Sequence, residues 1–147
     1  ASHNGMNGDN INDIYVDGGD RIWLANYPAG VTIRNNRYQS YEWFRHSPGN
    51  SRSLVNDQVH DVIEDSEGDL WFATSNGISL LQPAVGRWRS FLSRSDGIQD
   101  GGNHIFLTLC EVSPGVICAG GYASGLYRIE KKTGRVEYFP PSFWEVV

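Results

Sequence analysis

The chain has 147 residues, with Lys+Arg 12 against Asp+Glu 17 and a formal net charge of -5 at pH 7, a balance that argues against nucleic acid or an anionic lipid surface as its main partner. Hydrophobic residues make up 39%, charged residues 20% and aromatics 12%, enough apolar surface for one folded domain and too much for a disordered chain. No apolar run reaches the ~18 residues needed to span a bilayer, and Ala1 to Asn10 lacks the charged and apolar parts of a signal peptide, so direct membrane insertion is not expected.

Taken in order, the predicted elements form one unit repeated three times. The first opens on Ile11-Asn12-Asp13-Ile14-Tyr15-Val16 and turns at Asp17-Gly18-Gly19-Asp20. It continues through Arg21-Ile22-Trp23-Leu24-Ala25-Asn26 and Gly30-Val31 to the aromatic stretch Tyr41-Glu42-Trp43-Phe44. The second runs from Val59 through Glu64-Asp65-Ser66-Glu67-Gly68-Asp69-Leu70-Trp71-Phe72-Ala73-Thr74 and Asn76-Gly77-Ile78 to Trp88-Arg89-Ser90-Phe91. The third begins at Ile105, passes Glu111, Gly115, Val116-Ile117-Cys118-Ala119 and Gly125-Leu126, and closes on Val136-Glu137-Tyr138-Phe139. Trp23 and Trp71 stand 48 residues apart. The organisation expected is a poorly ordered N-terminus over 1–9, units over 10–56, 57–103 and 104–141, and the start of a truncated next unit over 142–147.

Within the second unit four strands are predicted: Val59 to Glu64, Asp69 to Thr74, Gly77 to Gln82 and Arg87 to Leu92. The Asp65 to Gly68 turn offers a side-chain acceptor and a Gly for positive φ. Asn76-Gly77 carries the signal of a two-residue type I′ hairpin. Leu70-Trp71-Phe72-Ala73 is apolar at consecutive positions, as in a strand covered on both faces. The fold predicted is all-β, a β-propeller fragment of about three four-stranded antiparallel blades.

The pattern Ile/Val-x-x-Ile/Val-x-Glu-Asp-x-x-Gly-x-Leu-Trp-Phe-Ala-Thr-x-x-Gly-Ile resembles the two-component regulator propeller repeat, nearly throughout residues 59 to 78. In the first unit Val16-Asp17 replaces Glu64-Asp65 and Asp20 stands where Gly68 does. The third has Ile117 for the Trp and Ser113-Pro114-Gly115 for the acidic turn. The resemblance implies the periplasmic sensing region of a hybrid two-component histidine kinase that responds to oligosaccharides, with the remaining blades of the parent as partners. The alternatives are a protein-interaction scaffold propeller, or part of a propeller enzyme such as a lyase or glycosidase.

Trp23, Asp65, Gly68, Trp71, Gly77 and Gly125 read as the structural signature of the repeat, the two tryptophans as blade-to-blade core. Asn12, Asp13, His60 and Asp61 begin the strands expected nearest the axis and are ligand candidates facing a central channel. Tyr27, Tyr38, Tyr41, Trp43 and Tyr122 lie nearer loops or outer strands, and Tyr122 joins the ligand set. The acidic turns lack the spacing of a calcium loop, and His3, His46, His60 and His104 lack metal-ligand spacing. No Gly-x-Ser-x-Gly is present, so no catalytic residue, metal or cofactor is assigned.

Cys110 and Cys118 are predicted to be free thiols. Transferring the Asp65 to Gly68 turn to the third unit sets Cys118 opposite Leu107 and Cys110 opposite Gly115, on opposite sheet faces. A turn centred on Pro114 would instead bring the cysteines opposite each other. The end blades are expected to expose apolar side chains from the strands carrying Trp23 and Val116-Ile117, offering surfaces for self-association.

Overall fold

The computed structural model describes Gly5, residues 8–97 and residues 100–144. Most of the expected loose N-terminus and the last three residues of the expected 142–147 segment lie outside the described residues. The first sheet comprises β1 (Asn10–Val16), β2 (Arg21–Tyr27), β3 (Gly30–Asn35) and β4 (Ser40–Phe44). The second holds β5 (Val59–Glu64), β6 (Leu70–Thr74), β7 (Gly77–Gln82) and β8 (Arg87–Phe91). The third holds β9 (Phe106–Ser113), β10 (Val116–Gly121), β11 (Gly125–Glu130) and β12 (Val136–Phe139). Each is an antiparallel meander with its strands in chain order. Short 3-10 turns lie at Arg94–Asp96 and Pro141–Trp144.

The sheets stack as blades, and the apolar pattern explains why. β6 is buried at every position because both of its faces are covered. Trp71, Ala73, Ile78 and Leu80 pack against Phe106, Leu109, Ile117 and Tyr127 of the third blade. Leu70, Phe72 and Leu81 meet Trp23, Ala25, Val31 and Ile33 of the first. Trp23 stacks on Phe44 at 6.1 Å and Trp71 on Phe91 at 5.4 Å. Burying one such side chain contributes roughly 1.5–3 kcal/mol, so the blade interfaces are the main store of stability.

One glycine position recurs with a steric cause. Gly30, Gly77 and Gly125 open the third strand of each blade with positive φ, 93° at Gly77. A side chain at Gly77 would press on the Phe91 carbonyl oxygen at 2.8 Å, and its N–H donates across the blade boundary to the His104 carbonyl at 2.9 Å. The predicted type I′ turn on Asn76-Gly77 is therefore corrected. Thr74 pairs with Gly77, so the loop is Ser75-Asn76, and Gly77 owes its identity to this close approach.

Two further registers differ from expectation. Glu64 pairs with Leu70, making the acidic loop one residue longer than predicted, because Asp65 N–H bonds the Asp69 carbonyl at 2.8 Å. In the third blade Val116 pairs with Ser113 and Ile117 with Glu111, which leaves Val112 as a bulge. Cys118 consequently lies opposite Cys110 and not Leu107; both are free thiols. The exposed apolar residues of the end blades also sit elsewhere than predicted. Ile14 and Val16 on β1 and Val112 on β9 are exposed, while Leu24 on β2 is buried and Ile117 on β10 is buried because it faces the second blade.

Candidate functional site

β5 packs between β1 and β9, and at one end of these inner strands the three blades enclose a cleft of about 610 Å³. Tyr27 from the end of β2 and His60 from β5 form one wall, their rings 5.7 Å apart. The His60 imidazole is in hydrogen-bond contact with the Ser75 hydroxyl at 2.8 Å. Burial lowers the His60 pKa, so at neutral pH the ring is uncharged and can both donate and accept.

Leu107 on β9, Ile105 before it and the connections between strands supply the rest. Asn56 and Gln58 precede β5, Ser75 and Asn76 form the β6–β7 turn, and Arg94 follows β8. Tyr122, just after β10, closes the far side, its ring exposed. Ser75 N–H donates to the Gln58 carbonyl at 3.0 Å, and Tyr122 N–H to the Ile105 carbonyl at 2.8 Å. These equivalent bonds tie each turn to the strand entry beside it. The cleft thus offers two tyrosine faces, amides, a hydroxyl, a neutral imidazole and one guanidinium. Such a surface can stack on a ring and exchange hydrogen bonds with a neutral polar ligand.

Of the predicted ligand residues, the structure brings His60 and Tyr122 together in this cleft and turns Asn12, Asp13 and Asp61 to another task. Asn12 Nδ2 donates to the Val59 carbonyl at 2.9 Å. Asp13 Oδ2 accepts from Val62 N–H at 2.9 Å, and Asp61 Oδ2 accepts from Leu109 N–H at 2.7 Å. Asp13 and Asp61 are equivalent in the repeat, and each latches its blade to the next. Burial, together with the neighbouring Asp13 carboxylate, pushes the Asp61 pKa up to about 7. Of the other loop aromatics, Tyr27 lines the cleft, Tyr38 is exposed on the β3–β4 turn, and the Trp43 indole bonds the Gly5 carbonyl at 3.1 Å.

Asn56, Gln58, Ser75, Asn76 and Arg94 escaped the sequence reading. A signal was present: Ser75 and Tyr122 lie 47 residues apart, one repeat period, so choosing Tyr122 nominates the same turn one blade earlier.

The acidic turns are hydrogen-bonded hairpin loops. Asp65 Oδ1 accepts from Glu67 and Asp69 N–H groups, and its Oδ2 accepts from Trp71 Nε1 at 2.9 Å. Asp17 repeats the pattern with Gly19, Arg21 and Trp23. Asp20 takes the left-handed backbone (φ 60) that Gly68 takes (φ 83), which Asp tolerates. The spacing Asp-x5-Trp in the signature is therefore a hydrogen bond from the indole of the second strand to the turn.

Residues 53–76 match the family model of the two component regulator propeller. The match covers the entry to β5, the acidic turn and β6, the part of the second blade that carries this bond. Solved structures extend the likeness to the fold of nearly the whole chain. The extracellular domain of BT3049 from B. thetaiotaomicron, designated a hybrid two-component system, superposes with a TM-score of 0.81 at 22% identity, over 93% of this chain and 19% of that one. The extracellular domain of BT4673 from the same organism, designated a one-component system, gives 0.70 at 21% identity, over 95% and 18%. PorZ, a surface component of the type-IX secretion system of Porphyromonas gingivalis, gives 0.67 at 12% identity, over 92% and 22%. No curated protein matches the sequence. The chain thus spans about a fifth of each of these structures and has their propeller fold.

Proposed function

We propose that this chain is three blades of an extracytoplasmic sensing propeller of a two-component system, and that it binds an oligosaccharide in the cleft at the ends of its inner strands. The observation that carries the reading is the convergence of Tyr27, His60, Ser75 and Tyr122 from three blades on one cleft. Two aromatic faces suit the C–H faces of pyranose rings, and the amide, hydroxyl and imidazole groups suit sugar hydroxyls. The family match and the extracellular domains sharing the fold support the sensory setting. The mechanism is binding: a ligand that bridges the blades favours the stacked arrangement to the extent that it binds that arrangement better.

Calorimetric titration of the chain with a panel of neutral oligosaccharides tests the reading. One of them is expected to bind, and Tyr122→Ala, which removes an exposed ring and leaves the core intact, is expected to weaken that binding by about tenfold. Absence of binding across the panel, or binding indifferent to both Tyr122→Ala and His60→Ala, would sink it. The protein-scaffold alternative rests on the exposed apolar strip Ile11, Ile14 and Val16 of β1, a surface through which copies of the chain or another protein would pair; tight protein binding with no glycan binding would favour it.

A further inference from the structure

We infer that Asn103 is a positioning residue of the cleft: its side-chain amide holds Tyr122 in place, and the buried Asp100–His104 pair anchors Asn103 to the second blade. The inference rests on the reading of the cleft as the binding site and names what sets one of its two aromatic faces. Tyr122 leads the turn between β10 and β11 and is 57% exposed, so packing of its ring does not fix it. Its backbone is held at both polar groups instead. The N–H donates to the Ile105 carbonyl at 2.8 Å, and the carbonyl accepts from Asn103 Nδ2 at 2.8 Å. Asn103 Oδ1 in turn accepts from the Ile105 N–H at 3.0 Å, an Asx turn that orients the amide. Three bonds thus close a ring through Asn103, Tyr122 and Ile105. With the Tyr122 backbone fixed, the direction in which its side chain leaves the turn is fixed as well, and only its rotamers remain.

The segment that carries Asn103 is anchored inside the blade interface. His104 is buried and takes the left-handed backbone at φ 58, which His adopts more readily than most residues. Its Nε2 lies 3.0 and 3.1 Å from the two Asp100 carboxylate oxygens. Asp100 also accepts from the Gly102 N–H at 2.8 Å and from the Tyr127 hydroxyl at 2.9 Å. Burial opposes the Asp100 charge, and these bonds override it, so the carboxyl sits below its usual range. Tyr127 belongs to the core shared by the second and third blades. The His104 carbonyl accepts from the Gly77 N–H at 2.9 Å, beside the Ser75-Asn76 turn. One segment therefore ties the cleft turn of the second blade to that of the third. The preceding connection is built the same way. Asn56 Oδ1 accepts from the Gln58 N–H at 2.8 Å, the Asp57 carbonyl from the Gly30 N–H at 2.8 Å, and the Gln58 carbonyl from the Ser75 N–H at 3.0 Å. Asn56 and Asn103 lie 47 residues apart, so the device belongs to the repeat.

The experiment uses the full 147-residue chain with no ligand present. Failure here is therefore separate from an absence of oligosaccharide binding, which bears on the reading of the cleft alone. Hydrogen exchange is followed by NMR at the Tyr122, Ile105 and Gly77 amides, beside the urea midpoint. The Tyr122 ring is followed by fluorine NMR of the chain labelled with fluorotyrosine, its signal assigned with Tyr122→Phe. Asn103→Asp keeps the acceptor for the Ile105 N–H and loses the donor to Tyr122. It is expected to shift the ring signal and to speed exchange at Tyr122 about fivefold, the effect of one lost hydrogen bond. Exchange at Ile105 and Gly77 and the urea midpoint are expected to stay at their wild-type values. Asp100→Asn is expected to speed exchange at Tyr122 and Gly77 together, by more than its change in midpoint accounts for. Wild-type exchange or an unmoved ring signal at Tyr122 in Asn103→Asp would overturn the inference. So would an even rise over all the core amides with a lowered midpoint in that variant, or an Asp100→Asn chain in which Tyr122 and Gly77 exchange as in wild type.

Discussion

The acidic turns of the first and second blades are built alike around one aspartate, and they differ in where the balancing cation comes from. Asp17 is met by Arg21 of its own hairpin at 2.7 Å, and the Arg21 side chain is 38% exposed. Asp65 is met at 2.7 Å by Lys131, which stands just beyond β11 in the third blade, is 7% exposed and also reaches Asp69 at 2.7 Å. At both sites burial opposes ionisation. The hydrogen bonds from Trp23 to Asp17, and from Lys131 and Trp71 to Asp65, more than offset it, so both carboxyls sit below the usual range. Burial also opposes the charge on Lys131, and the Asp65 and Asp69 carboxylates override it, so its pKa is raised. The first turn is a local device. The second is a tie between blades, reinforced where Glu111 accepts from the Ser66 N–H at 2.9 Å. The same turn chemistry serves two levels of structure according to whether the next blade supplies a cation.

The contrast breaks most visibly at Lys131. Lys131→Met leaves Asp65 and Asp69 buried without their cation, and removing one partner of a buried pair costs about 3–5 kcal/mol. Urea unfolding should show that loss, and a change below about 1 kcal/mol would mean that water already screens the pair.

A smaller effect lies in the inner latch. The raised Asp61 pKa makes its contribution to stability full below its unfolded value of about 3.9 and lost as pH rises toward 7. Asp61→Asn keeps a neutral group that can still accept from Leu109 N–H and donate toward Asp13. The variant is expected to match wild type near pH 4 and to be the more stable of the two at pH 8. His60, whose lowered pKa acts with the opposite sign, cancels in that difference. Melting curves across pH check this, and parallel profiles for the two proteins would refute it.

The smallest effect is expected at Arg21. An exposed ion pair is worth about 0–1 kcal/mol, so Arg21→Ala should shift the urea midpoint only slightly. A loss as large as that of Lys131→Met would erase the distinction between the two turns.

What was legible in the sequence follows from the range of the interactions. The Asp17–Trp23 and Asp65–Trp71 bonds span six residues and recur with the repeat, so strand order, acidic turns and tryptophan core could all be read from spacing. The consecutive apolar residues of β6 likewise carry their two-sided burial in plain sight, because side chains alternate faces along a strand. Three features were decided only in three dimensions. Lys131 meets Asp65 across 66 positions of chain. Val62 and Leu109 fall under the carboxylates of the preceding blade. The cleft needs the ends of all three blades at once. None of these distances is set by local spacing, since each depends on how one twisted sheet seats on the next. The cysteine pair shows both kinds of information at once: a turn tightened onto Pro114-Gly115, followed by the bulged residue Val112, turns a pair predicted to lie on opposite faces into direct neighbours.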